Sequence, residues 1–189
     1  MKFEELQTDR LALRKFTQDT YDVLFSHCTE QEICNYLGLN SKEEFLKEKT
    51  KHQNSLTTFN KKLLYFQLID KADKKIIGWC GYHTWYIEHK RAEIGYGLFE
   101  NQYKGKGFMT EAIIPIVDFG FEIMNLHRIE AMVSPDNIPS LKLLRKLNFK
   151  EEGHLREHYV EDGKAEDSLV FSLLKTDGVE THKLSEAFI

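Results

Sequence analysis

The residues best suited to chemistry lie in one stretch, Gln102-Tyr103-Lys104-Gly105-Lys106-Gly107-Phe108-Met109-Thr110-Glu111-Ala112. Two glycines, each preceded by a lysine, lead into a run with helical spacing. Residues 92–99 just before it read as a strand. Strand, glycine loop and helix in that order present free backbone N–H groups to an anion. The first turn of a helix leaves four N–H groups without intrahelical partners, and the macrodipole makes that end positive. Glycine lets the main chain approach the anion with no Cβ in the way. The chemistry implied is a grip on phosphate. The Walker spacing is not met. The dinucleotide fingerprint fails as well, because Thr110 stands where a third small residue belongs and no acidic partner follows in a convincing βαβ unit. The spacing that fits is Gln/Arg-x-x-Gly-x-Gly/Ala, on Gln102, Gly105 and Gly107. Taken alone, the stretch also reads as a surface turn with two glycines and two lysines.

The elements around the loop decide between these readings. Residues 8–16 alternate apolar and polar and predict a strand with Leu11, Leu13 and Phe16 inward. Asp19 or Thr20 caps a helix with Val23, Leu24 and His27 inside. Residues 35–39 read as a loop. Ser41 and Glu44 form a capping box for a second helix that runs to about Asn54, with Phe45, Leu46 and Lys49 at amphipathic spacing. Residues 63–69, 76–86 and the strand carrying Glu93 predict three antiparallel strands feeding the glycine loop, with a charged turn at 70–75. The helix after the loop places Met109, Ala112, Ile113, Ile116, Val117, Phe121 and Met124 on a core face. Pro115 inside it predicts a kink. A strand at 128–133 and a helix at 138–147 follow, with Leu141, Leu144 and Leu147 inward. Asn148 suits a left-handed cap. Residues 151–160 and 164–174 predict a hairpin around Glu161-Asp162-Gly163.

Composition narrows the class. The chain has 189 residues, 41% hydrophobic and 30% charged, with a net charge of −4. One α/β domain with a full core fits that length. The mild acidity argues against nucleic acid as the main partner. No apolar run reaches the roughly 20 residues a bilayer span needs, and the N-terminus has no apolar signal region. Cys28, Cys34 and Cys80 lack metal spacing and suit reduced thiols in a cytoplasm. His154 and His158 sit about 13 Å apart along a strand, too far to share a metal, so none is expected.

In chain order, Thr-Asp-Arg-Leu-x-Leu-Arg at 8–14, Glu-Ile-Gly-Tyr at 93–96, Gly-Lys-Gly-Phe-Met-Thr-Glu-Ala at 105–112, Asn-x-x-Ser at 137–140, Leu-Arg-Lys-Leu-Asn-Phe at 144–149 and Glu-Gly-x-Leu-Arg at 152–156 resemble the GNAT superfamily of N-acetyltransferases. The opening and the serine are most similar to its RimJ/RimL-type branch, which acetylates protein N-termini. The resemblance spans residues 8–175. It implies an α+β (mixed α/β) fold, with a mostly antiparallel twisted sheet of about seven strands and helices on both faces. It implies one domain over 1–176 and a C-terminal extension over 177–189. It also implies acetyl-CoA as acetyl donor and direct attack by a primary amine. Family members are often dimers, so a homodimer is a possible state.

Site residues follow from the resemblance. The N–H groups of Lys104, Gly105, Lys106, Gly107, Phe108 and Met109 would hold the pyrophosphate, with Gln102 orienting the loop. The strand ending at Leu98-Phe99 would splay from the one ending at Val133 and admit the pantothenyl arm, and the N–H of Leu98 or a neighbour would serve as oxyanion donor. Asn137 would touch the coenzyme. Many family members place a tyrosine where Leu144 stands; Leu144 cannot donate, so Ser140 is the implied acid, or else a first-turn serine meeting backbone donors. Glu93 is the candidate base, with a salt bridge to Arg128 or Arg156 as its other reading. His83 is the second candidate. Tyr36, Leu39, Glu157 and Tyr159 are candidate acceptor contacts. The acceptor would be a protein α-amine, with two alternatives: a small amine such as a polyamine, amino acid or aminoglycoside, or no acceptor at all in a non-catalytic acyl-CoA sensor.

Overall fold

The computed structural model describes residues 4–53 and 62–177. Its strands are β1 (Glu5–Gln7), β2 (Leu11–Thr17), β3 (Lys62–Asp70), β4 (Ile76–Tyr86), β5 (Arg91–Leu98), β6 (Arg128–Val133), β7 (Lys150–Glu161) and β8 (Lys164–Leu174). They form one mixed sheet in the order β1-β2-β3-β4-β5-β6-β8-β7. Every neighbouring pair is antiparallel except β5 with β6. The eighth strand, beyond the seven expected, is β1. It is three residues long, and its partner β2 lies beyond a turn that carries no hairpin signature.

The helices are α1 (Gln18–His27), α2 (Glu30–Leu37), α3 (Lys42–Gln53), α4 (Phe108–Glu122) and α5 (Ile138–Lys146). Alternation along the strands sends side chains to opposite faces, and each face has its own helices. Leu11 and Leu13 of β2 join Ile113 and Ile116 of α4 and Leu141 and Leu144 of α5 on one side. Phe16, of opposite parity, joins Leu24, Ile33, Leu37 and Phe45 of α1–α3 on the other. Each fully buried side chain of this size contributes about 1.5–3 kcal/mol of transfer free energy.

Local expectations are corrected in four places. The cap of α1 is Thr17, whose side chain accepts from the Thr20 N–H, so Thr20 is the fourth residue of the box and Asp19 only adds charge to the first turn. Val23 and His27 face solvent, and Leu24 alone of that helix is buried. Residues 35–37 are not loop: they end α2, which Thr29 and Glu32 open with a reciprocal capping box and left-handed Gly38 closes. Leu46 is half exposed, so Phe45 is what anchors α3. The expected end at Asn54 lies outside the described residues, as does the extension from 178 onward. Helix α4 runs unbroken through Pro115. Asn148 is left-handed as expected, with φ 63°.

One feature of the sheet matters most for function. Strands β5 and β6 pair over only three rows, Arg91 with Arg128, Ala92 with Ile129 and Glu93 with Glu130. Beyond them each strand stays bound to its other neighbour, β5 to β4 and β6 to β8. The closed end of this V is fastened by charge. Glu130 accepts from Arg91 Nη1 and from Arg128 Nε, both at 2.7 Å, and Arg128 also pairs with Glu152 of β7.

Candidate active site

The glycine loop follows the open end of the V. A short 3-10 turn, Asn101–Tyr103, buries Tyr103 edge-on against Phe108, ring centroids 6.0 Å apart. Gly105 and Gly107 then take φ of 71° and 82°, a hand that costs an L side chain about 1–2 kcal/mol. Gly107 is the residue before α4, and no side chain caps that end. The first N–H groups of α4 therefore face outward without intrahelical partners. Lys104 and Lys106 are exposed beside them.

The loop is held from 101 residues away. Glu111 of α4 accepts from Thr8 Oγ1 at 2.6 Å, from the Arg10 backbone N–H at 2.7 Å and from Arg10 Nε at 2.6 Å. Arg10 Nη1 donates to the Lys106 carbonyl at 3.1 Å, and its guanidinium lies 4.3 Å from the centre of the Phe108 ring. Burial works to raise the Glu111 carboxyl, but the bonds from Thr8 and Arg10 together hold it below its ordinary value. Gln102, expected to orient the loop, instead donates to Glu100 at 2.8 Å.

Between the diverging strands lies a cavity of about 380 Å³. One wall comes from Trp79 and His83 of β4 and Glu93 and Gly95 of β5. A Cβ on Gly95 would stand 2.9 Å from His83 Nε2 and 3.0 Å from the Trp79 ring, so both rings rest on bare main chain. His83 Nδ1 is 3.7 Å from Glu93 Oε2. The salt bridge to Arg128 or Arg156 that was the other reading of Glu93 is not among the ion pairs of the described residues, and Glu130 and Glu152 take the Arg128 guanidinium. The other wall comes from Tyr96, the end of β6, Ser134, Asn137 and Ser140, and Tyr159 and Glu161 of β7 also line the cavity.

The edge of β5 that faces this cavity carries unpaired donors. The Phe99 N–H is spent on the Ile77 carbonyl at 3.0 Å. Peptide direction alternates along a strand, so the N–H groups of Leu98 and Tyr96 point the other way, to the edge that β6 has left. Phe99 is therefore not the donor on that edge, and its ring is exposed.

Helix α5 sets the second wall. Asn137 is its cap, with Oδ1 accepting from the Ser140 N–H at 3.2 Å, which leaves the amide NH₂ of Asn137 outside that bond. Leu144 is fully buried in the core. The Tyr96 hydroxyl is buried next to the Ser140 side chain. Burial pushes this phenol up to about 12, eased by the neighbouring Ser140 hydroxyl.

Thus His83, Glu93, Asn137, Ser140 and Tyr159 meet at one cavity. Tyr36 does not line it; Tyr36 lies in α2, with its carbonyl accepting from Gln67 Nε2 at 2.8 Å. Leu39 packs with the α1–α3 cluster. Glu157 is outside the lining too, with its N–H on Asp167 Oδ1 at 2.8 Å, and Glu161 stands in the cavity instead. Sequence reasoning gave no site role to Trp79, Tyr96 or Glu161, nor to the Arg10–Glu111 fastening. The parity of β5, with Ile94 inward and Tyr96 two residues on, was the one available signal for Tyr96.

Comparisons with known proteins agree with this geometry. Residues 10–150 match the model of an acetyltransferase (GNAT) domain. The chain is 39% identical over 176 residues to the N-acetyltransferase p20 of Bacillus licheniformis, covering 92% of this chain and 98% of that one. It is 28% identical over 95 residues to the spermidine N(1)-acetyltransferase of Escherichia coli, half of each chain. The crystal structure of a ribosomal-protein-S5-alanine acetyltransferase from Vibrio fischeri superposes with a TM-score of 0.64 at 25% identity, covering 92% of this chain and 98% of that one. GNAT acetyltransferases draw their acetyl group from acetyl-CoA. A three-row parallel contact that opens above a glycine loop, together with a domain match over residues 10–150, means that the chain belongs to the GNAT acetyltransferases and is an acetyl-transfer enzyme.

Proposed function

We propose that this enzyme moves the acetyl group of acetyl-CoA onto the α-amine of a protein N-terminus by direct attack. The observation that carries the reading is the divergence of β5 from β6 after Glu93, which leaves strand-edge donors facing a cavity just ahead of an uncapped helix start. The glycine loop fits a diphosphate: the space where a Cβ of Gly105 would stand has nothing within 4 Å, and no side chain competes for the α4 N–H groups.

Acetyl-CoA supplies an acyl group activated as a thioester. The backbone of 105–109 binds the diphosphate, helped by the positive helix end; the Lys104 N–H, expected to join it, is spent on the Asn101 carbonyl at 3.1 Å. The N–H of Leu98 faces the acyl oxygen, and one such donor contributes about 10²–10³ in rate. The Asn137 amide NH₂ contacts the coenzyme arm. Glu93 takes the proton that the amine must lose, with His83 beside it. Ser140 lies where the sulfur leaves. Trp79 and Tyr159 flank the amine.

A second reading has its own support. The carboxylates in the lining are Glu93 and Glu161, and neither lysine nor arginine is among the described lining residues. That balance suits a polyamine carrying several positive charges. Coenzyme A release should therefore be followed with peptides starting in Ala or Ser and with spermidine. A higher kcat/KM for the peptides supports the α-amine, and a higher value for spermidine replaces it with the polyamine. Tight binding of acetyl-CoA with no release on any amine would make the chain a sensor.

A further inference from the structure

We propose that Asp167 is a positioning residue for acceptor choice: its carboxylate locks a bulge in β7 that decides whether Tyr159 or Glu157 stands at the acceptor wall of the cavity. This rests on the acyl-transfer reading above. Leu155 of β7 pairs with Ser168 of β8, and Tyr159 pairs with Glu166. Four steps along β7 therefore match two along β8, and Arg156, Glu157 and His158 stand against Asp167 alone. A bulge of this kind takes residues out of the ladder and bends its strand.

Side chains hold the bulge. Asp167 Oδ1 accepts from the Glu157 N–H at 2.8 Å, and Oδ2 meets His154 Nε2 at 2.7 Å. Beside them His158 Nδ1 lies 2.9 Å from the hydroxyl of buried Ser168. Glu157 has a φ of 50°, a left-handed conformation that disfavours any residue with a Cβ. The bulge is therefore not its own reward, and the bond from Asp167 to the Glu157 N–H offsets that cost. The Glu157 N–H, and after it His154, hold the Asp167 carboxyl below its ordinary value, so it is a charged acceptor at neutral pH.

The bulge sets depth and not side. Were β7 to continue regularly from the Leu155–Ser168 pair, Glu157 would stand opposite Glu166 and Tyr159 opposite Lys164, the level that Glu161 now holds. A slip of two residues keeps every side chain on its face of the sheet but carries Tyr159 about 7 Å toward the hairpin tip. As the strand stands, Tyr159 and Glu161 line the cavity and Glu157 does not. In the slipped register Glu157 and Tyr159 would fill those two places, and the order of phenol and carboxylate along the wall would reverse. An amine approaching that wall meets its negative charge at a different depth.

The test compares Asp167→Ala with Asp167→Asn, whose Oδ1 still accepts from the Glu157 N–H. Asp167 belongs to neither buried cluster, so both variants should fold. Hydrogen exchange at the Glu157 amide, followed by NMR without substrate, should quicken at least tenfold in Asp167→Ala and stay within threefold of the parent in Asp167→Asn. With the better used of an Ala-starting peptide and spermidine, Asp167→Ala should raise the acceptor KM at least fivefold, and Asp167→Asn should leave it within twofold. Acetyl-CoA affinity should stay within twofold in both. Glu157→Gln should be silent in the parent chain and raise the acceptor KM at least threefold more in Asp167→Ala, where the carboxylate has moved to the wall. Unchanged exchange or an unchanged acceptor KM in Asp167→Ala, equal losses in the two Asp167 variants, or a silent Glu157→Gln in both backgrounds overturns the proposal. Coenzyme A release by the parent chain on neither amine overturns the transfer reading and the acceptor role with it, while the exchange measurement still reports separately whether Asp167 holds the bulge.

Discussion

His83 Nδ1 stands 3.7 Å from Glu93 Oε2, across neighbouring strands and above the last paired row of β5 and β6. Glu93 is four-fifths covered while His83 is not, and among the described residues no arginine pairs with the carboxylate. That leaves Glu93 free to accept a proton. Glu93→Gln should lower kcat by about 10²-fold, within the range general bases contribute, and leave the affinity for acetyl-CoA within twofold. His83→Ala should cost less than Glu93→Gln. The reverse order in steady-state rates would move the base to His83.

Gly107→Ala tests the loop. An alanine at φ 82° carries a conformational cost of about 1–2 kcal/mol at the residue that opens α4. Calorimetry should show acetyl-CoA binding weakened at least tenfold. Binding unchanged from the parent chain would place the coenzyme elsewhere.

Ser140→Ala removes a hydroxyl but keeps the backbone N–H that Asn137 accepts. Turnover should fall and acetyl-CoA affinity should hold within twofold. Asn137→Ala, in contrast, removes the cap of α5 and should cost about 1 kcal/mol of stability as well as coenzyme affinity. Unchanged turnover in Ser140→Ala takes that residue out of the reaction.

The closed end of the V is acid-sensitive. Hydrogen bonds from Arg128, and then from Ser172, hold the Glu152 carboxyl down at about 2, from an ordinary 4.5. A carboxyl lowered in the folded state contributes its full stability above the unfolded pKa and loses it as pH falls through the folded one. The loss therefore runs from about pH 4.5 down to about 2. Glu152→Gln should flatten the fall of melting temperature over that window, by a small amount because the side chain is partly solvated. A parallel fall in both proteins would show that the pair carries no linkage.

What could be read from the chain was local. The glycine loop, the left-handed Asn148 and the Asp162-Gly163 turn are each specified by a few adjacent residues, and the structure has them. Helix α2 was missed although Thr29 and Glu32 spell its capping box, because its eight residues hold too few apolar positions for a clear period. The Arg10–Glu111 fastening had no local signal, since its partners lie 101 residues apart. Glu161 was read only as a turn residue. Its place in the cavity depends on how far the β7–β8 hairpin reaches, which spacing within the hairpin does not determine.

The bare backbone at Gly95 has an evolutionary consequence. With the rings of His83 and Trp79 lying directly on it, the floor under the incoming nucleophile offers no side chain to exchange, and adding one collides with both rings. Substitutions that alter the acceptor without moving these rings are confined to the rim, where the hairpin brings Tyr159 and Glu161. Selection can then remodel what the enzyme modifies while the apparatus that handles its donor is inherited untouched.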